Sequence, residues 1–193
     1  MSSKKKLVIS LSVAAAVLVA AIIAIVAVFA AAQQTIASNV KVTFRATNVD
    51  CAVEASYTTN TVKDKQVFKT LTIEAEDGGS VAKEANLPNV DLIQGGENGV
   101  FITLSYNITN TSSRPMLVKL AELTDNSGNW DITLSHSGLT STGVEIDGKI
   151  GETVSNEIFT ITIKATTQAI QSAEDVPMDI TLNWTLTATS FSA

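Results

Sequence analysis

At 193 residues the chain has room for one hydrophobic core plus a short targeting element, because a single core serves about 100–200 residues. Lys4, Lys5 and Lys6 precede every acidic residue, and beyond Ala32 stand 10 basic against 19 acidic side chains, a net −9. That charge repels phosphate backbones and anionic headgroups, which argues against a nucleic-acid partner, and the single cysteine, Cys51, excludes an intramolecular disulfide.

From Leu7 to Ala32 the chain runs 26 residues without a charge, roughly 39 Å as a helix and enough to cross a hydrocarbon core of about 30 Å. The lysines ahead of it orient the remainder outward. Residues 1–32 are therefore expected to be a signal peptide or an N-terminal transmembrane helix, with residues 7–32 meeting the membrane at least during export. Two signatures oppose each other on the fate of this run. It is longer than the roughly 7–15 apolar residues of a cleavable signal. Ala30, Ala31 and Ala32 nevertheless supply an Ala-x-Ala site ahead of the polar Gln33, so Ala30, Ala32 and Gln33 mark the candidate junction. Both outcomes, release and tethering, remain open at this level.

Beyond the junction, residues 33–193 read as an extracellular β domain, because apolar residues alternate with polar ones, the period of a half-buried strand. Val40, Val42, Phe44 and Ala46 share one face, and Val49, Cys51, Val53, Ala55 and Tyr57 continue the pattern. A less regular strand is expected between Val67 and Ile73. Val100, Ile102, Leu104, Tyr106 and Ile108 form the next face, followed by Met116, Val118 and Leu120. Trp130, Ile132, Leu134 and His136 are expected to point inward, as are Phe159, Ile161, Ile163 and Ala165. The last strand is the most regular, with Met178, Ile180, Leu182, Trp184, Leu186 and Ala188 on one side. Asp77-Gly78-Gly79, Gln94-Gly95-Gly96, Asn126–Asn129 and Asp147-Gly148 offer turn chemistry, and Val144–Ile150 reads as a hairpin. The helical candidate after the leader is short, Thr166 to Ala173. About seven to nine such strands predict an all-β, two-sheet antiparallel β-sandwich, immunoglobulin-like, preceded by one hydrophobic helix.

Catalytic inventories come up short. His136 is the sole histidine, so a His-Glu-x-x-His zinc site cannot be built. A Cys51–His136 dyad would place both members on inward faces, whereas a reactive thiolate needs an accessible, electropositive setting. There is no Gly-x-Ser-x-Gly elbow and no phosphate-cradling glycine loop, so the chain is read as a non-enzyme. Oxygen-bearing side chains at Asp125, Ser127, Asn129 and Asp131 make a calcium-loop candidate, since hard cations take six or more oxygens and spacing by twos supplies several. A polar hairpin turn explains the same residues, and no other cofactor is expected. Asn107, Asn110 and Asn183 each begin an Asn-x-Ser/Thr triplet, with Asn107 and Asn183 pointing outward by alternation. A carbohydrate-binding module would need exposed aromatics, but Trp130 and Trp184 fall on inward faces. Leu87-Pro-Asn-Val-Asp91 has the opening of a Leu-Pro-x-Thr-Gly sorting signal without its Thr-Gly.

Leu92-Ile-Gln-Gly-Gly-Glu-Asn-Gly-Val-Phe-Ile-Thr-Leu-Ser-Tyr-Asn-Ile-Thr-Asn-Thr-Ser112 combines a glycine-rich turn, an alternating strand and an Asn-Thr-Ser turn. With the lysine-rich leader and the first strand just after Gln34, it resembles small exported β-sandwich surface and matrix proteins of Gram-positive bacteria. The style is that of exported proteins of gut Firmicutes, and there is a looser similarity to the TasA and camelysin group of biofilm-matrix fibre proteins. The resemblance implies an extracellular, non-catalytic subunit that forms homo-oligomers or fibres by strand addition, with Asn39 to Thr47 as the strand that would reach a neighbour. A pilin-type filament subunit, with the apolar helix in the fibre core, is the alternative class.

Overall fold

The computed structural model describes residues 35–75, 79–93, 99, 101–166 and 177–189. The leader with Ala30, Ala32 and Gln33, the Gln94-Gly95-Gly96 turn, Asp77 and Gly78, Val100 and most of the short helical candidate lie outside them.

The described residues form eleven strands and no helix: β1 (Thr35–Thr47), β2 (Cys51–Thr59), β3 (Gln66–Ile73), β4 (Ser80–Glu84), β5 (Asp91–Ile93), β6 (Phe101–Asn110), β7 (Met116–Asp125), β8 (Trp130–Leu134), β9 (Val144–Ile146), β10 (Ser155–Ala165) and β11 (Met178–Ala188). This exceeds the expected seven to nine because β4, β5 and β9 are three to five residues long, too short to show a period. One sheet runs β4-β1-β11-β7-β9 with β5 also on β1; the other runs β3-β2-β6-β10-β8. Most of the alternating residues bury as expected, while Tyr57, Ile132, Leu134, Ala165 and Ala188 are only partly buried. Val42, Phe44, Ala46, Ile102, Leu104, Ile108, Ile161, Ile163, Leu182 and Leu186 have no exposed surface, and the inward faces of both sheets contribute to one apolar cluster.

At the centre of that cluster Trp184 of β11 stacks on Phe44 of β1 with centroids 5.8 Å apart. Tyr106 of β6 meets the Trp184 ring edge-on at 5.1 Å and Phe159 of β10 contacts it at 5.6 Å. These contacts run from one sheet to the other, so aromatic packing joins the two layers. Neither the Tyr106 hydroxyl nor the Trp184 indole N–H finds a partner among the described residues, and burial pushes the Tyr106 phenol up from its ordinary value.

Pairing departs from expectation first in strand direction. β1 and β11 run parallel, in register from Ser38↔Met178 to Thr47↔Thr187, while the other strand pairs are antiparallel. Parallel neighbours cannot be joined by a tight turn. Here the whole intervening chain is the connection, so no crossover helix is required.

The Val144–Ile150 hairpin does not form. β9 pairs instead with Met116–Val118 of β7, and the Asp147-Gly148 turn after it is held by distant backbone. Asn110, fully buried, donates from Nδ2 to the carbonyl oxygens of Arg114 (2.8 Å), Asp147 (3.1 Å) and Ile146 (3.3 Å). Its Oδ1 accepts from the Ser112 N–H (3.0 Å) and hydroxyl (2.7 Å). The Lys149 N–H donates to the Ser112 carbonyl. A Cβ at Gly148 would lie 2.4 Å from the Ser113 carbonyl oxygen, so glycine is needed there for close backbone approach rather than for a local turn. Tertiary hydrogen bonds outcompete the hairpin because they satisfy a buried carboxamide as well as the backbone.

Candidate functional site

The residues between Asp125 and Asp131 connect β7 in one sheet to β8 in the other. Asp125 Oδ1 accepts from the Ser127 N–H (2.9 Å) and hydroxyl (2.7 Å), and Oδ2 from the Trp130 N–H (3.0 Å). Asn129 turns its Nδ2 to the Ser127 carbonyl. Three of the four calcium candidates, Asp125, Ser127 and Asn129, are thus brought together, with the Asp125 carboxylate engaged by Ser127 and the Trp130 N–H and with Asn129 Nδ2 on the Ser127 carbonyl. Asp131 is not brought in; it lies exposed on β8 opposite Lys164. The arrangement is an Asx-type turn, and among the described residues no group of three or more His, Cys, Asp or Glu side chains is placed to hold a metal.

The same turn makes stability acid-sensitive. Partial burial raises the Asp125 pKa, but hydrogen bonds from the Ser127 hydroxyl and from the N–H groups of Ser127, Trp130 and Gly128 outweigh it and hold the carboxyl below its ordinary value. The ionised form is favoured in the fold, so its contribution is complete above the unfolded carboxylate pKa of about 4 and is lost as pH falls through the lower folded value. Asp125→Asn should therefore be less stable than the parent at neutral pH. The gap should close in urea titrations repeated below about pH 4.

Cys51 and His136 do not meet as a dyad. Cys51 opens β2, buried between Ile73 of β3 and Asn110 of β6. His136, expected on an inward strand face, lies beyond the end of β8 with its side chain 30% exposed, because β8 stops at Leu134. Its ring packs on Phe159, its Nδ1 shares a hydrogen bond with the Ser135 hydroxyl (2.8 Å), and its Nε2 lies 3.5 Å from Glu157. This Ser135–His136–Glu157 chain was not visible in the sequence, since Glu157 is brought in by β10 pairing. The Ser135 hydroxyl oxygen also accepts the Thr160 N–H, which occupies it structurally. Burial, reinforced by the charge of Asp50, pushes the Cys51 thiol up to about 12. Folded protein should accordingly give almost no reaction with a thiol-specific disulfide reagent at pH 8, and one thiol per chain once denatured.

Of the three triplet asparagines, Asn107 and Asn183 lie on outward faces and are half-buried. Asn107 Oδ1 accepts from Asn156, and Asn183 donates to Glu122. Asn110 is closed off in the folded state by its bonds to Ser112, Arg114, Ile146 and Asp147.

The strand next to the leader has the most distinctive surroundings. β1 is an interior strand, bonded to β11 along one side and covered along the other by residues 80–93. That covering segment is regular only at its ends. Between β4 and β5 the contacts are Ala85 N–H to Val42 carbonyl (2.9 Å), Leu87 N–H to Val40 carbonyl (3.0 Å), Asn86 Oδ1 accepting the Val42 N–H, and Ser38 Oγ accepting the Val90 N–H. Two side chains replace ladder bonds that backbone would otherwise supply, and Pro88, which has no N–H, lies within this irregular stretch. Pro88 was the available sequence signal for this irregular edge. Leu87 and Val90 of the sorting-signal look-alike are buried against the core.

The other sheet edges are blunted too. β9 is three residues long and β8 five. β3 has a register shift beside Ala55, which leaves Phe68 unmatched, and places Lys69 opposite the buried Ala55. Bulges and inward-side charges of this kind oppose edge-to-edge pairing.

No family model matches the chain, and no curated protein matches it.

Proposed function

We propose that this protein is an exported, non-catalytic structural or adhesive subunit of the cell surface or extracellular matrix, an immunoglobulin-like β-sandwich carried outward by residues 7–32. In this reading it assembles with further copies by exchange of β1. The observation that carries it is the position of β1: the first strand after the apolar run, yet interior to its sheet. An added strand ordinarily docks on an open edge, and the edges here are short, bulged or charged. Exchange avoids that obstacle, because a neighbour's β1 would restore the same ladder and the same buried Val40, Val42, Phe44 and Ala46. The interactions broken and those remade are then identical in kind, so association is set by concentration and by the barrier to opening the sheet.

Electron microscopy of concentrated full chain tests assembly: fibres or strings are expected, and persistent monomers would overturn the reading. Intact mass of the native protein tests the leader. Loss of residues through Ala32 gives a released subunit, an intact chain gives a tethered one, and loss of the lysine segment alone would favour the pilin-type alternative.

A further inference from the structure

At one end of the fold, a cleft of about 630 Å³ is lined by Asn48, Asp50, Ala75, Thr111, Ser112, Ser113 and Arg114. We infer that this cleft binds a small zwitterion such as a free amino acid or a dipeptide, with its carboxylate on the Arg114 guanidinium and its ammonium on the Asp50 carboxylate. The inference stands apart from strand exchange and does not need it.

Three observations carry it. First, the described lining residues include one charge of each sign, Arg114 and Asp50, and the two do not neutralise each other: the ion pairs among the described residues are Lys65–Glu54 and His136–Glu157. The Arg114 side chain makes no hydrogen bond within the described residues, and Asp50 uses only Oδ1, on the Ala75 N–H at 3.0 Å. Second, the walls are fixed before any ligand arrives. The Thr111 N–H donates to the Asp50 carbonyl (3.0 Å), and Asn110 and the Lys149 N–H pin the Ser112–Arg114 turn from beneath. On the opposite wall, Asn48 holds a left-handed φ of 56°. A pre-formed loop loses little entropy on binding. Third, none of the described lining residues is aromatic, so none of them offers the stacking platform that favours a sugar. A simple anion would be drawn to Arg114 but repelled by Asp50, and a simple cation the reverse. Only a ligand bearing both charges complements both walls.

Diglycine is the direct probe, added to isotopically labelled full chain in detergent micelles and followed by amide resonances. Saturable shifts confined to residues 48–50 and 111–114 are expected, with affinity roughly in the millimolar range for partly exposed charges. Arg114→Gln and Asp50→Asn should each weaken binding by about tenfold. Asp50→Asn keeps an oxygen for the Ala75 N–H, so the loop survives the change, and unchanged resonances elsewhere verify this. Acetate, ethylamine and glucose serve as single-feature probes and should each shift these resonances far less. No saturable response to diglycine, an equal response to acetate or glucose, or unaltered binding in both variants would overturn the proposal.

Discussion

Replacing Asn110 by alanine is expected to lower the unfolding free energy by about 3 kcal/mol, among the larger effects of a single polar substitution. The side chain is fully buried and joins the end of β6 to the carbonyls of Arg114, Ile146 and Asp147. Alanine removes one residue's groups but strands acceptors contributed by two other segments, and orphaned buried groups account for most of the loss. Asn110→Asp should be worse at neutral pH, because it sets a carboxylate against the carbonyl oxygens that now receive N–H donors. That variant should recover part of its stability in acid, where the protonated carboxyl regains a donor. Urea unfolding checks both variants: the midpoint should fall with little change in slope.

Trp184→Ala is the second large loss, expected at about 4 kcal/mol from the cavity and the missing apolar burial. Phe44, Tyr106 and Phe159 all contact the indole from different strands, and rigid rings on three sides cannot collapse to fill the space. Tyr106→Phe offers the contrast at the same site. Its hydroxyl is buried with no partner among the described residues, so its removal should be neutral or stabilising within about 1 kcal/mol. A large loss on Tyr106→Phe would show that the phenol does find a partner in solution. Thermal unfolding of the two variants side by side separates packing from polarity.

The inward faces were legible because alternation depends only on which side of a strand meets water. Val40 to Ala46, Ile102 to Ile108 and Met178 to Leu186 bury as their period requires. The partners of those strands were not legible. Nothing local in β1 says that it lies parallel to β11, since register is fixed by the opposite layer. Val144–Ile150 failed as a hairpin for a related reason: Asp-Gly favours a turn locally, while Asn110, far earlier in the chain, takes the carbonyls of Ile146 and Asp147. The Asp125 loop shows the limit of inventory reasoning. Oxygen atoms at alternate positions suit a cation or a self-bonded turn equally well, and the bonds of Asp125 to Ser127 and to the Trp130 N–H become visible only in the fold. The polar cleft draws on three segments far apart in sequence, so no motif announces it.

Strand exchange rests on whether β1 leaves its sheet. Thr43 and Asn183 are register neighbours on the outer face of β1 and β11, with Cα atoms about 5 Å apart, as neighbouring strands require and within disulfide reach. Thr43→Cys with Asn183→Cys therefore gives a reversible lock, and buried Cys51 does not compete for it. Assembly of the oxidised double variant, followed by electron microscopy before and after reduction, is the most direct measurement. Monomers when oxidised and fibres once reduced, with fibres from the parent throughout, are expected; fibres that form equally well with β1 locked to its own β11 would contradict the account.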